Sequence, residues 1–167
     1  MDQKEIQLKA LVEKYRQDML DFWKELIDFQ AGSREKERMQ TLMEKVAARL
    51  EKEGMETELL DTGAVPLLQA WVGKNRPGKP ILLSGHLDTV FPNGSYPEEA
   101  FTLKDGKAYG PGVCDMKGGI VMAVYVAKIL TEAGYDQHPL KLVFVPDEEI
   151  THQGSRVADM LVEQSKG

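Results

Sequence analysis

Apolar residues recur at helical spacing over residues 3–30: Ile6, Leu8, Leu11, Val12, Tyr15, Met19, Leu20, Trp23, Leu26 and Ile27. Positions three and four apart share one face of a helix, so this stretch predicts one long helix, with a single break left open. Ala31-Gly32-Ser33 stops it, and Ser33 reads as the N-cap of a second helix over about Glu35 to Glu53. Met39, Leu42, Met43, Val46, Ala47 and Leu50 line one face of that helix, and Gly54 ends it. Both stripes read as core. From residue 55 the pattern shortens into strands at Thr57–Leu60, Leu67–Val72 and Ile81–Ser84, the last reading as buried. Asp105-Gly106, between Phe101–Leu103 and Lys107–Tyr109, is a hairpin turn pair. A helix is predicted from about Lys117 to Ala133, closed by Gly134 and apolar on nearly every side from Ile120 to Ala127, hence buried. Leu140–Val145 reads as a buried strand and Ser155–Gln164 as a last helix. Strands alternating with helices predict an α/β fold, a mostly parallel sheet flanked by helices.

Composition narrows the function classes. At 167 residues the chain can bury one real core, and 42% apolar with 29% charged residues is ordinary for a globular protein. The net charge is −6 with no Lys/Arg cluster, which argues against nucleic acid and against anionic membrane surfaces. The single cysteine, Cys114, rules out an internal disulfide and fits a reducing compartment, although one free thiol is compatible with export too. Residues 1–6 are charged, without the apolar core of a leader, and the longest apolar run, Ile120–Ala127, is far short of a membrane span. The expectation is a cytoplasmic protein.

Four polar clusters fall at element ends. His86 and Asp88 follow the strand Ile81–Ser84, and residues two apart on a strand point to the same face. An imidazole is a good zinc ligand, and a carboxylate beside it is the usual partner that fixes its tautomer. Asp115 sits in the glycine-rich stretch Tyr109-Gly110-Pro111-Gly112-Val113-Cys114-Asp115-Met116-Lys117-Gly118-Gly119. Asp147-Glu148-Glu149 follows the strand ending at Val145-Pro146, and His152 comes soon after. Each has a plain reading: turn chemistry for the glycine-rich loop, a helix start for the acidic run, a surface or capping role for His152. A phosphate loop would need a Gly-Lys-Ser/Thr ending that is absent, which disfavours a nucleotide-binding domain. In a parallel α/β sheet ligands gather at the carboxyl ends of strands, where these groups lie. Converging carboxylates repel unless a cation sits among them, and a mixed imidazole and carboxylate set suits zinc, manganese or cobalt. Of two adjacent glutamates, one can bind metal while the other stays free as a general base.

Gly85-His86-Leu87-Asp88-Thr89-Val90-Phe91-Pro92, the stretch from Tyr109 to Gly119, and Pro146-Asp147-Glu148-Glu149-Ile150 resemble the M20 family of metallopeptidases. Within it the likeness is greatest to the glutamate carboxypeptidase (carboxypeptidase G2-like) type, with acetylornithine deacetylase and succinyl-diaminopimelate desuccinylase as relatives. The resemblance implies a zinc-exopeptidase-like fold and two divalent ions, zinc above cobalt or manganese. It implies metal ligation by His86, Asp115 and Glu149, with Asp115 bridging the ions. Asp88 would orient His86, Glu148 would be the general base, and the Asp115–Met116 peptide would be cis. The implied reaction is hydrolysis of an amide bond next to a free carboxylate, in a dipeptide, an N-acyl amino acid or a glutamate conjugate.

Members of that family are longer. The resemblance therefore implies that residues 1–167 are the N-terminal part of a catalytic domain, with a helical pair over 3–53 and an α/β part over 55–167. The dimerisation domain and the C-terminal part, which carry further metal ligands, are not in the sequence. The expectation is an incomplete domain, inactive alone, that associates with a complementary chain or with itself. The alternative is a non-catalytic remnant acting by weak metal binding or association. One local departure stands out. Thr151-His152 replaces the Gly-Ser usual after Glu-Glu-Ile, and His152 is weighed there as a substitute ligand.

Overall fold

The computed structural model describes residues 2–166. Helices α1 (Gln3–Asp28) and α2 (Lys36–Lys52) precede strands β1 (Glu56–Leu60), β2 (Leu67–Val72) and β3 (Ile81–His86). A small hairpin, β4 (Thr102–Lys104) and β5 (Lys107–Tyr109), leads to α3 (Gly118–Glu132), β6 (Leu140–Val145) and α4 (Val157–Ser165). The long first helix is unbroken, without the single break that its sequence left open.

The main sheet has the order β1-β2-β6-β3. The α/β class holds, but the sheet is mixed rather than mostly parallel: β3 pairs parallel with β6, while β1–β2 and β2–β6 are antiparallel. The reason is connectivity. β1 and β2 are joined by a short turn, which permits only antiparallel pairing, whereas α3 forms the crossover that parallel β3 and β6 require.

β6 is central and buried along its whole length. Leu140, Leu142 and Phe144 join a core shared with α1, α2 and α3, including Phe22, Leu42, Val46, Ile120 and Val124. Val143 and Val145 face the other way, toward Val157 and Met160 of α4. Alternating residues thus serve two faces, each large apolar side chain contributing about 1.5–3 kcal/mol by leaving water.

Two burial expectations are corrected. β3 is an edge strand, with Ile81 exposed rather than buried. On α3, Met122 and Val126 are 65% and 46% exposed, because only part of the helix surface meets α1 and the sheet. Among the described residues no helix is long and apolar enough to cross a membrane.

Candidate metal centre

The parallel pairing of β3 with β6 matches His86 to Val145, so both strands end on the same rim. His86 closes β3, and Asp147-Glu148-Glu149 begins two residues beyond β6. Glu148–Ile150 forms one turn of 3-10 helix. Asp115 arrives from the third side, in a wide turn over Val113–Lys117 where its own φ and ψ, −120° and 102°, are non-helical. The Asp115–Met116 peptide is cis. The glycine-rich approach is needed at Gly112, whose φ is +73° and where a Cβ would lie 2.7 Å from the Thr89 methyl.

Asp88 organises the centre. Its side chain is fully buried and gathers four donors. Oδ1 lies 3.2 Å from His86 Nδ1 and accepts the Glu148 amide at 3.2 Å. Oδ2 accepts Ser33 Oγ at 2.5 Å and the Glu149 amide at 3.1 Å. Burial alone would raise the pKa of Asp88; the hydrogen bonds from His86, Ser33 and the Glu149 amide outweigh it and hold the carboxyl below its usual value.

His86 Nδ1 also faces the Asp88 carbonyl at 3.1 Å, so this nitrogen is the donor and Nε2 points to Asp115 Oδ1 at 3.0 Å. Burial pushes the imidazole pKa down, but Asp88 and Asp115 overcome this and raise it to about 9. The pocket therefore favours positive charge between the two carboxylates. Glu149 shows the converse: burial raises its pKa, helped by the nearby Asp115, Asp88 and Glu148 and opposed by His86.

One ligand atom each from His86, Asp115 and Glu149 lies within 4.8 Å of the others. Zinc bonds of about 2.0–2.2 Å to nitrogen and oxygen set neighbouring donors about 3–3.5 Å apart, which matches the 3.0 Å between His86 Nε2 and Asp115 Oδ1. The donor set thus fits a divalent cation. His152 is not in this group among the described residues; its Nδ1 lies 2.7 Å from Asp147 Oδ1. Glu148 is exposed beside the cluster. Two clefts open on Glu149. One, of about 370 Å3, runs along Val90, Gly112 and Asp115; the other, of about 310 Å3, runs along Arg34, Val90 and Ile150.

Two supporting residues carry functions that the sequence pattern conceals. Ser33 does not cap α2, whose N-cap is Glu35 without a side-chain hydrogen bond. Its hydroxyl is spent on Asp88, because the loop between α1 and α2 docks alongside Thr89, with Ser33 N donating to Thr89 O at 3.2 Å. Lys117 is fully buried, and its ammonium donates to the Leu26 and Phe29 carbonyls at 2.7 and 3.3 Å. Burial pushes its pKa down to about 8, against the pull of Asp88. A lysine directly before the apolar start of α3 is the trace of this role in the sequence.

Comparison with known proteins gives the family. Residues 82–165 match the family described as peptidase family M20/M25/M40. Carboxypeptidase G2 of Pseudomonas sp. (strain RS-16) is 39% identical over 94 residues, 56% of this chain and 22% of that protein. Succinyl-diaminopimelate desuccinylase of Xylella fastidiosa (strain M23) is 39% identical over 116 residues, 64% of this chain and 29% of the relative. The crystal structure of human carnosine dipeptidase 1 superposes with a TM-score of 0.76 at 21% identity, over 99% of this chain and 38% of that one, a likeness of fold. The chain spans less than a third of the length of the curated relatives it matches. The matched segment holds His86, Asp88, Asp115, Glu148 and Glu149, and the chain belongs to peptidase family M20/M25/M40.

Proposed function

We propose that this chain contributes the metal-binding half-site of a hydrolase that cleaves a peptide or amide bond next to a free carboxylate. The observation that carries the reading is the meeting of His86, Asp115 and Glu149 donors within 4.8 Å on one rim. A divalent ion bound there, zinc before cobalt or manganese, would supply a Lewis acid to the scissile carbonyl. Asp88 holds His86 Nδ1 as the donor, which would leave Nε2 free to take a metal ion. Glu148, exposed and with its backbone amide held on Asp88, is placed to take a proton from attacking water and return it to the leaving nitrogen as the carbon–nitrogen bond breaks. Arg34 offers a cation for the substrate carboxylate at the edge of the 310 Å3 cleft. The neighbouring acid, Glu35, is already engaged by the Gly32 and Asn93 amides, at 2.8 Å each.

Three donors with an open position suffice for one ion. Two ions sharing Asp115 need more donors than these, from residues outside this set or from an associated chain. Those donors would come from a further segment of the same protein, from a complementary chain or from a second copy.

The test is metal content after zinc loading and desalting, on the 167-residue protein and on its His86→Ala and Glu149→Ala variants. The reading expects retained zinc in the parent and loss in both variants. Equal zinc in all three would sink it. Where the parent hydrolyses an N-acyl amino acid, Glu148→Gln should keep the zinc and retain about one per cent of the rate or less, roughly the 10²–10⁴-fold worth of a general base.

A further inference from the structure

The turn that carries Glu148 and Glu149 is tied down by a cluster that the chemistry above does not use. Asp147 is buried at the end of β6. Its Oδ1 lies 2.7 Å from His152 Nδ1, and its Oδ2 accepts Ser155 Oγ at 2.5 Å. The backbone closes the same ring, with Thr151 N on Glu148 O at 2.7 Å and His152 N on Asp147 O at 3.0 Å. Ser155 Oγ in turn accepts the Val157 amide at 3.3 Å, which joins the ring to the first residue of α4.

This ring holds a backbone that the residues themselves disfavour. Thr151 and His152 are consecutive left-handed residues, at φ +53° and +57°, and neither is glycine. For a β-branched threonine this is a true outlier, and such conformations persist only where the surroundings over-determine them. Here what over-determines them is Asp147, gripping His152 from one side and Ser155 from the other. The arrangement is not a nucleophile triad. The carboxylate sits between serine and histidine, so no imidazole touches the hydroxyl to take its proton.

We propose that His152 is a positioning residue: through Asp147 it fixes the Glu148–Ile150 turn so that the Glu149 carboxylate faces His86 and Asp115. Rigid support of this kind matters at a metal site because ligands must already be held where the ion needs them. The inference rests on the proposed metal reading for its consequence at Glu149, but the clamp of Asp147 on His152 can itself be measured without metal.

Two variants separate the hydrogen bond from the backbone. His152→Gly relaxes the left-handed position and removes the bond. His152→Asn tolerates that position and places an amide N–H where Nδ1–H stood. The first readout is amide hydrogen exchange at Glu148 and Glu149 in the metal-free protein, with Val143 of β6 as reference. The second is zinc affinity by chelator competition. The expected result is exchange at least about tenfold faster at Glu148 and Glu149 in His152→Gly, with Val143 unchanged, and zinc affinity lower by about 10–100-fold, both restored in His152→Asn. Unchanged exchange in the glycine variant, equal acceleration at Val143, or an asparagine variant no better than glycine would each overturn the proposal. A parent protein that holds no zinc would instead defeat the metal reading, while the exchange comparison still decides the clamp.

Discussion

His86 Nδ1 lies 3.1 Å from the carbonyl and 3.2 Å from the carboxylate of Asp88, so one residue fixes both the tautomer and the plane of the imidazole. The same carboxylate receives the Glu148 and Glu149 amides, which couples the strand bearing one proposed ligand to the turn bearing another.

Asp88→Asn tests that coupling. A carboxamide has one acceptor oxygen, and whichever way it turns, its NH2 meets an N–H that cannot rotate away: the Glu149 amide on one side, the Glu148 amide on the other. One buried donor is left unpaired, at a cost of about 1–3 kcal/mol. Zinc affinity should fall by about 10–100-fold, the usual scale for the partner of a ligating histidine. Urea denaturation and chelator competition read the two effects. A variant equal to the parent in both would remove Asp88 from the centre.

In the ion-free protein the contribution of His86 to stability should be lost as pH rises through about 9. His86 has a folded pKa of about 9, above its unfolded value near 6.5. A raised base stabilises the fold fully below the unfolded pKa and loses that contribution as pH climbs through the folded one. Lys117 acts oppositely. Its folded pKa of about 8 lies below an unfolded value near 10.4, so it favours the fold increasingly from about pH 8 upward. The difference between parent and His86→Gln isolates the histidine. Urea midpoints at pH 6.5, 8 and 9.5 should converge between the two proteins as pH rises. A constant gap would show that His86 is not charged in the folded state.

Much of this was legible in residue order, and the reasons differ by element. Leu67–Val72 and Leu140–Val145 are found with their observed ends because continuous apolar runs bounded by turn residues have few other solutions. The Asp105-Gly106 hairpin is equally local, its two residues at φ +51° and +72° as such a turn demands. His86, Asp88, Asp115 and Glu148-Glu149 could be grouped because strand ends share a rim, whereas the choice of His86, Asp115 and Glu149 as ligands rests on the family resemblance. What escaped is decided by docking. Ser33 reads as a helix cap by its neighbours, and only the approach of its loop to Thr89 gives its hydroxyl to Asp88. The exposure of Met122 and Val126 depends on which surfaces α3 meets, which periodicity does not state.

Lys117→Met should cost about 1–3 kcal/mol of stability. The substitution keeps an apolar stem in the buried channel and removes the ammonium that satisfies the Leu26 and Phe29 carbonyls. The ammonium therefore fastens the end of α1 to the start of α3, directly behind the loop of Asp115. Thermal unfolding measures the loss. Undiminished stability would mean the two carbonyls find other donors once the lysine is gone.

Gly112→Ala and Gly134→Ala form a matched pair that separates backbone strain from site geometry. Both glycines are left-handed, at φ +73° and +83°, so an alanine at either costs about 1–2 kcal/mol from the conformation alone. At Gly134 nothing lies within 4 Å of the added carbon, and the cost should end there. At Gly112 the new methyl would meet the buried Thr89 methyl at 2.7 Å and the Asp115 carbonyl at 3.2 Å. Thr89 sits next to Asp88, so neither neighbour can yield without moving the site. Gly112→Ala should therefore be the less stable of the two and should alone weaken zinc binding, by about tenfold or more. Equal stability losses with zinc binding intact in both would show that the loop places Asp115 without help from the glycine.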